Sequence, residues 1–384
     1  MKKLTLILIL AHFSLNIFAQ EDSVINVNIP SEQKYQFSTV IDIEASNVKN
    51  QGNTGTCWSF SASSFLESEI YRTTGEFIDI SEMYNVRHTY NSKAYTYVMR
   101  QGKTQFSEGG LAHDVFNSIK LNGLVPEYSY TGLATDSTRY NHEKLVPKMQ
   151  LVLDNYIKLA NKTGVNWKKQ VDSILNIELG VMPQYFIFNG VTYNSKSFLE
   201  YTQINPSSYL TLTSFTHQPF YNSIILDIPD NFSNGIFYNI PISDLVSTVD
   251  EALKKGFTLT LDCDVSEETF SQKYGIAVIP KNSKNNEKSM TYIVEEPIIS
   301  PEFRQQEFEN YNTTDDHLMH IIGLVKDQNG TEYYKIKNSW GASGSRIGNG
   351  GYLFMSKTFF KLKTISVTLH NDAISETLKK QLKT

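Results

Sequence analysis

The chain has 384 residues, enough for two domain-sized cores or for one core carrying a large insertion. Its composition, 40% hydrophobic and 20% charged, is that of an ordinary globular protein. A formal net charge of -5, with no Lys/Arg run of five or more, argues against a nucleic-acid or anionic-membrane partner.

At the start, Lys2-Lys3 precede apolar stretches at 4–10 and 13–18, and Ile17-Phe18-Ala19 offers a cleavage site. Residues 1–19 therefore read as a signal peptide cut after Ala19. His12, Ser14 and Asn16 interrupt the stretch, which is short for a membrane span, and no cysteine follows it to carry a lipid. The expected location is periplasmic or secreted, with no stable membrane anchor. Only Cys57 and Cys263 remain beyond that segment, so at most one disulfide is available.

Residues 20–45 form a polar, extended N-terminal segment ending in a strand at 37–43. A lobe at 46–130 follows, and it reads as helical. It holds a helix over 58–72, an amphipathic stretch from Ile80-Ser81-Glu82 to about 98, and a helix over 112–121 closed by Asn122-Gly123. Residues 131–255 read as a mostly helical insertion, with helices near 144–160, 167–179 and 242–255 and strand-like sequence at 220–228. After Gly256 the pattern turns β-rich, with strands at 257–262, 320–326, 333–338 and 352–355. Asn329-Gly330 marks a hairpin. This β-rich lobe runs over 256–370, and 371–384 form a C-terminal helix and tail.

The chemistry is concentrated in two places. In Asn50-Gln51-Gly52-Asn53-Thr54-Gly55-Thr56-Cys57-Trp58-Ser59-Phe60, a thiol stands at the start of a helix whose dipole favours thiolate. The glycines let backbone approach a substrate carbonyl. Gln51 supplies a side-chain N–H that can hold an oxyanion together with a backbone N–H near Cys57. A thiolate nucleophile also needs an imidazole and a group to orient it. Asp315-Asp316-His317-Leu318-Met319-His320 offers two imidazoles, on opposite faces of one strand, and period-2 alternation does not choose between them. In Asn338-Ser339-Trp340-Gly341, Asn338 can orient the ring and Trp340 can shield that bond from water. A disulfide between Cys57 and Cys263 would consume the nucleophile, so both thiols are expected to be reduced. Cys263, at a strand end with no second base motif, reads as structural.

These segments resemble the active-site motifs of papain-like cysteine peptidases. That family carries Asp-His, four intervening residues, then a hydrophobic residue and Gly, a pattern that lands on Asp316-His317 and Ile322-Gly323. The resemblance therefore implies His317 as the base and His320 as a strand neighbour. Gly109-Gly110 is similar to the paired glycines lining the substrate side, where Trp340 is also placed. Thr54 stands where secreted members keep a disulfide cysteine, and about 260 residues separate Cys57 from His317. Both features, with Cys263-Asp264-Val265 and the strand-then-helix ending at 364–382, resemble the bleomycin hydrolase and bacterial aminopeptidase C group.

The implied fold is α+β, a papain-like two-lobe arrangement with a largely helical insertion. The implied activity is peptide hydrolysis through a thioester, as an aminopeptidase acting on peptide substrates. No metal or organic cofactor is implied, and the group's ring assembly admits a homo-oligomer. That group continues past its last helix into an arm that blocks the cleft, whereas this sequence reads Leu382-Lys383-Thr384 there. An open-cleft endopeptidase is thus the alternative expectation. A catalytically dead peptide-binding protein is less favoured, because nucleophile, base and oxyanion donor types are all present.

Overall fold

The computed structural model describes residues 34–133 and 137–383, and the expected signal peptide lies outside them. The elements run β1 (Ser38–Asp42), α1 (Cys57–Thr74), α2 (Glu82–Met99), α3 (Ala112–Asn122), α4 (Leu145–Lys158) and α5 (Trp167–Leu179). There follow β2 (Phe186–Phe188), β3 (Val191–Tyr193), α6 (Ser195–Tyr201), β4 (Tyr209–Thr213), β5 (Asn222–Ile225), β6 (Ile236–Asn239) and α7 (Ile242–Lys254). The rest comprises β7 (Leu259–Cys263), β8 (Phe270–Ser271), β9 (Ile276–Ala277), α8 (Asn286–Ser289), α9 (Pro301–Glu309), β10 (His317–Lys326) and β11 (Glu332–Lys337). Finally come β12 (Tyr352–Ser356), α10 (Lys357–Lys363), β13 (Thr364–His370) and α11 (Glu376–Leu382).

Local chemistry starts and stops the helices that matter to function. The Ser81 hydroxyl caps α2 by accepting the Tyr84 N–H at 3.1 Å. Gly75 ends α1 in a left-handed conformation and donates its N–H to Tyr71 O at 2.8 Å. Helix α1 is buried without interruption from Cys57 to Ile70, so it is a central rod rather than a surface helix.

One sheet organises the molecule. Its strand order is β5-β6-β4-β13-β7-β10-β11-β12-β9-β8, with β1 also paired antiparallel to β10. Alternation along β10 divides two cores. Leu318 joins the cluster built on Trp58, Phe65, Tyr90 and Val115, while Met319 and Ile321 join the cluster built on Leu259, Tyr334, Phe359 and Val367. The first core lies with the helices α1 to α6. The second holds residues of the sheet together with α7, α10 and α11.

Segment 131–255 differs from the expected mostly helical insertion. Its described residues carry four helices and also five short strands, of which β4, β5 and β6 extend the main sheet through β13. These strands are four or five residues long, and β4, which joins them to the sheet, has its β13 partner more than 100 residues away, so local periodicity shows them only faintly. Arg304 on α9 fastens this wing. Its guanidinium is almost wholly buried and donates to Ser214 O (2.8 Å), Lys361 O (2.9 Å), Leu362 O (3.2 Å) and Thr364 O. It also lies 4.7 Å from the Phe215 ring centroid. Among the described residues, no helix is long and apolar enough to cross a membrane.

Candidate active site

Cys57 is the first residue of α1, and the loop before it is held open by sterics. Gly52 has φ +69°, and a Cβ there would fall 2.3 Å from Tyr140 O, so only glycine fits. The next residue, Asn53, donates its N–H to that same oxygen at 2.9 Å. The loop is then zipped to the distant 338–341 turn: Gln51 N–H donates to Ser339 O (2.9 Å), and Gly341 N–H donates to Lys49 O (3.0 Å). The Gln51 side chain is fixed at both ends. Its Oε1 accepts from Ser339 Oγ at 2.6 Å, and its Nε2 donates to Thr54 O at 2.7 Å. An amide nitrogen carries two N–H groups, so one donor remains for an oxyanion.

His317 opens β10, and its Nε2 bonds Asn338 Oδ1 at 2.8 Å. With Nε2–H donated to an amide oxygen, Nδ1 is the basic nitrogen. The Trp340 ring lies over the imidazole at 4.7 Å between centroids and meets Phe270 edge-on. Asn338 is itself oriented: its Nδ2 donates to Gln272 Oε1 at 2.7 Å, so its Oδ1 must face His317. His320 points elsewhere. Its Nδ1 bonds Ser64 Oγ of α1 at 2.8 Å, and Lys337 Nζ donates to the same hydroxyl at 2.8 Å. Cys263 lies directly across the ladder from His317, buried in the β-lobe core with a free thiol.

Electrostatics oppose charge separation at this pair. Burial pushes the Cys57 thiol up to about 12, and the carboxylates of Asp315, Asp230 and Asp262 push the same way. A backbone hydrogen bond from Leu318, the residue after His317, works against them. Burial holds the His317 imidazole down to about 4, although its bond to Asn338 favours the charged form. Both shifts run in the direction that favours thiol and neutral imidazole over the ion pair.

Gly109 and Gly110 lie next to the nucleophile loop. Trp58 Nε1 donates to Glu108 O at 3.0 Å, Gly55 N–H donates to Glu108 Oε2 at 2.6 Å, and Gly110 packs on the Trp58 ring. The space above Gly109 is occupied by the Asp230 carboxylate: a Cβ on Gly109 would fall 1.9 Å from Asp230 Oδ2.

Sequence reading missed three residues at this site. Ser339 stands inside a motif that was read for its neighbours. Gln272 lies just after the two-residue strand β8, and Asp230 on a loop of the 131–255 segment. Neither of the last two carries a local pattern. No group of three or more His, Cys, Asp or Glu suited to a metal occurs among the described residues.

The chain is similar to known proteins. A model of the Peptidase C1-like family matches residues 103–384. Aminopeptidase G of Lactobacillus delbrueckii subsp. lactis is 22% identical over 88% of this chain and 84% of its own length. Aminopeptidase C of Listeria monocytogenes is 20% identical over 88% of this chain and 83% of its own. Among solved structures, PepW from Lactobacillus rhamnosis superposes with a TM-score of 0.71 at 17% identity, covering 90% of this chain and 84% of that one. That likeness, together with one lobe of helices and one of sheet meeting at Cys57 and His317, is the papain-like fold. The family match spans well over half of the sequence, so the chain belongs to the Peptidase C1-like family.

Proposed function

We propose that the protein is a cysteine aminopeptidase whose nucleophile is Cys57 and whose base is His317. As a peptide carbonyl approaches, the Sγ proton passes to His317 Nδ1 and the sulfur forms a bond to the carbonyl carbon. The oxygen takes the electron pair and is held by the spare Gln51 Nε2–H and the Cys57 backbone N–H. Collapse of this tetrahedral centre breaks the C–N bond, and the imidazolium protonates the leaving amine. Water, deprotonated by His317, then attacks the thioester, and the thiol leaves with that proton. Asn338 keeps the ring aimed throughout, and Trp340 keeps water from their bond.

The observation that supports this reading most directly is the Gln272–Asn338–His317 chain of hydrogen bonds, which ends beside a helix-terminal thiol. Exopeptidase action is inferred from relatives named as aminopeptidases that align along most of the chain. Export to the periplasm or medium rests on the residues 1–19 pattern, and N-terminal sequencing of the mature protein starting at Gln20 would test it.

The deciding experiment is hydrolysis of one fluorogenic peptide, N-terminus free and then acetylated, by wild type and Cys57→Ala. Cleavage of the free form alone, lost in the variant, is expected. Cleavage of both forms would make the protein an open-cleft endopeptidase, and undiminished activity in Cys57→Ala would sink the mechanism.

A further inference from the structure

The loop at 226–235 is built to present one side chain. Asn231 braces it internally: its Nδ2 donates to Leu226 O (3.0 Å) and Gly235 O (3.2 Å), and its Oδ1 accepts from Gly235 N–H at 2.7 Å. Phe232 anchors it, buried with the Lys93 ammonium 5.1 Å from its ring centroid. Between these residues and the rest of the loop, Asp230 is laid against the bare Cα of Gly109.

The Asp230 carboxylate is poorly satisfied there. It accepts one long bond, from Ser107 Oγ at 3.4 Å, and makes no ion pair among the described residues. Lys93, the cation whose charge acts on it, is engaged by Gly109 O and by Ser107 Oγ (3.3 Å). Two more acids whose charge reaches Cys57, Asp262 and Asp315, are by contrast hydrogen-bonded to each other, and burial together with that bond raises Asp262. Buried acids are normally paired, and Asp262 and Asp315 pair with each other, whereas Asp230 beside the nucleophile has only its long Ser107 bond, which points to a cation supplied from outside. A thiolate nucleophile would gain nothing from the Asp230 field. An ammonium bound there would offset it.

We infer that Asp230 reads the free α-ammonium of the substrate: its carboxylate, held over Gly109 by the 226–235 loop, pairs with the peptide N-terminus and closes the cleft to longer chains. The inference rests on the aminopeptidase reading and adds the residue that enforces it. The bound ammonium has a second effect, which is to ease proton transfer from Cys57 to His317 by offsetting the acidic surroundings. A correctly terminated substrate thus helps to activate its own nucleophile.

The test compares kcat/KM for one peptide with free and acetylated termini, in wild type, Asp230→Asn and Asp230→Glu, normalised to Cys57 titrated with a thiol-directed epoxide. Asp230→Asn should lower the free-to-acetylated ratio roughly 10- to 100-fold, as expected for a lost charge-assisted hydrogen bond, chiefly through a higher KM for the free peptide. Asp230→Glu, which keeps the charge, should recover part of the ratio. A ratio unchanged in Asp230→Asn, with wild type still preferring the free peptide, would overturn this inference and leave the aminopeptidase reading standing. Wild type hydrolysing both peptides equally would overturn both. If Asp230→Asn fails to fold, competition decides. Free and acetylated peptide aldehydes protecting wild-type Cys57 from the epoxide equally at pH 7, and no better when Asp230→Glu is compared, would likewise overturn it.

Discussion

The catalytic joint and the 131–255 segment are built on different principles. At the joint, every functional side chain is held by a short chain of hydrogen bonds between residues far apart in sequence: Gln51 by Ser339, His317 by Asn338, Asn338 by Gln272. The 131–255 segment is held by apolar packing and by strand pairing to β13, and it sends one loop toward the nucleophile. The joint holds the proposed nucleophile and base, and the segment lays the Asp230 carboxylate over Gly109. Chemistry tolerates little displacement, so it sits on buried, doubly tethered groups, whereas selection needs only a carboxylate at the right depth.

This contrast breaks if damage to the joint proves mild. Gln51→Ala should cut kcat by about 10²–10³-fold, the usual cost of one oxyanion donor, with KM little changed. A comparable rise in KM with kcat preserved would show that Gln51 merely binds.

The contrast sharpens at Arg304, which fastens the segment at Ser214 to the 361–364 turn of the β-rich lobe. Arg304→Met leaves four carbonyls without their buried donor and should destabilise the fold by about 3–5 kcal/mol, read as a lower denaturant midpoint. A midpoint shift under about 1 kcal/mol would mean that the wing is held by packing alone.

A milder probe is pH. The His317 imidazole is held down to about 4, so above that value it is neutral and can take the Cys57 proton. Below it, ring and thiol are both protonated and no base remains. Hydrolysis should therefore fall by about tenfold per pH unit below 4, not near the ordinary histidine value of about 6.5. An acid limb near 6.5 would mean that the ring is solvated in the working enzyme.

The smallest effect should come from the far side of the segment. Ile187 on β2 is 66% exposed, so Ile187→Thr should change neither kcat/KM nor stability by more than about 0.5 kcal/mol. A larger loss of stability would mean that this hairpin is covered in solution.

The same division explains what could be read in advance. Cys57, Trp58 and the 338–341 turn announce themselves because a nucleophile at a helix start, and a strand followed by a tight turn, have local chemistry. The choice between His317 and His320 needed family resemblance, because alternation offered both faces. In the structure the two rings are told apart by distant partners, Asn338 and Trp340 for one against Ser64 for the other. Helices α3, α5 and α7 fall close to where their periodicity predicts, whereas the β4–β6 wing was under-read. Gln272 and Asp230 were not visible at all, since their roles come from contacts 66 and 121 residues away along the chain.

Strand β13 lies between β4 and β7, although it follows every other strand along the described residues. Until it leaves the ribosome, the β4–β6 wing has no strand to join it to the rest of the sheet. Cys57 and the His317–Asn338 hairpin are synthesised earlier and can meet first. The 226–235 loop, carried between β5 and β6, is tied to α3 through Ser233 and Asp114 and to the rest of the sheet only by way of β4 and β13. Synthesis order therefore presents the Cys57 and His317 segments before the strand that ties the wing with its 226–235 loop into the sheet.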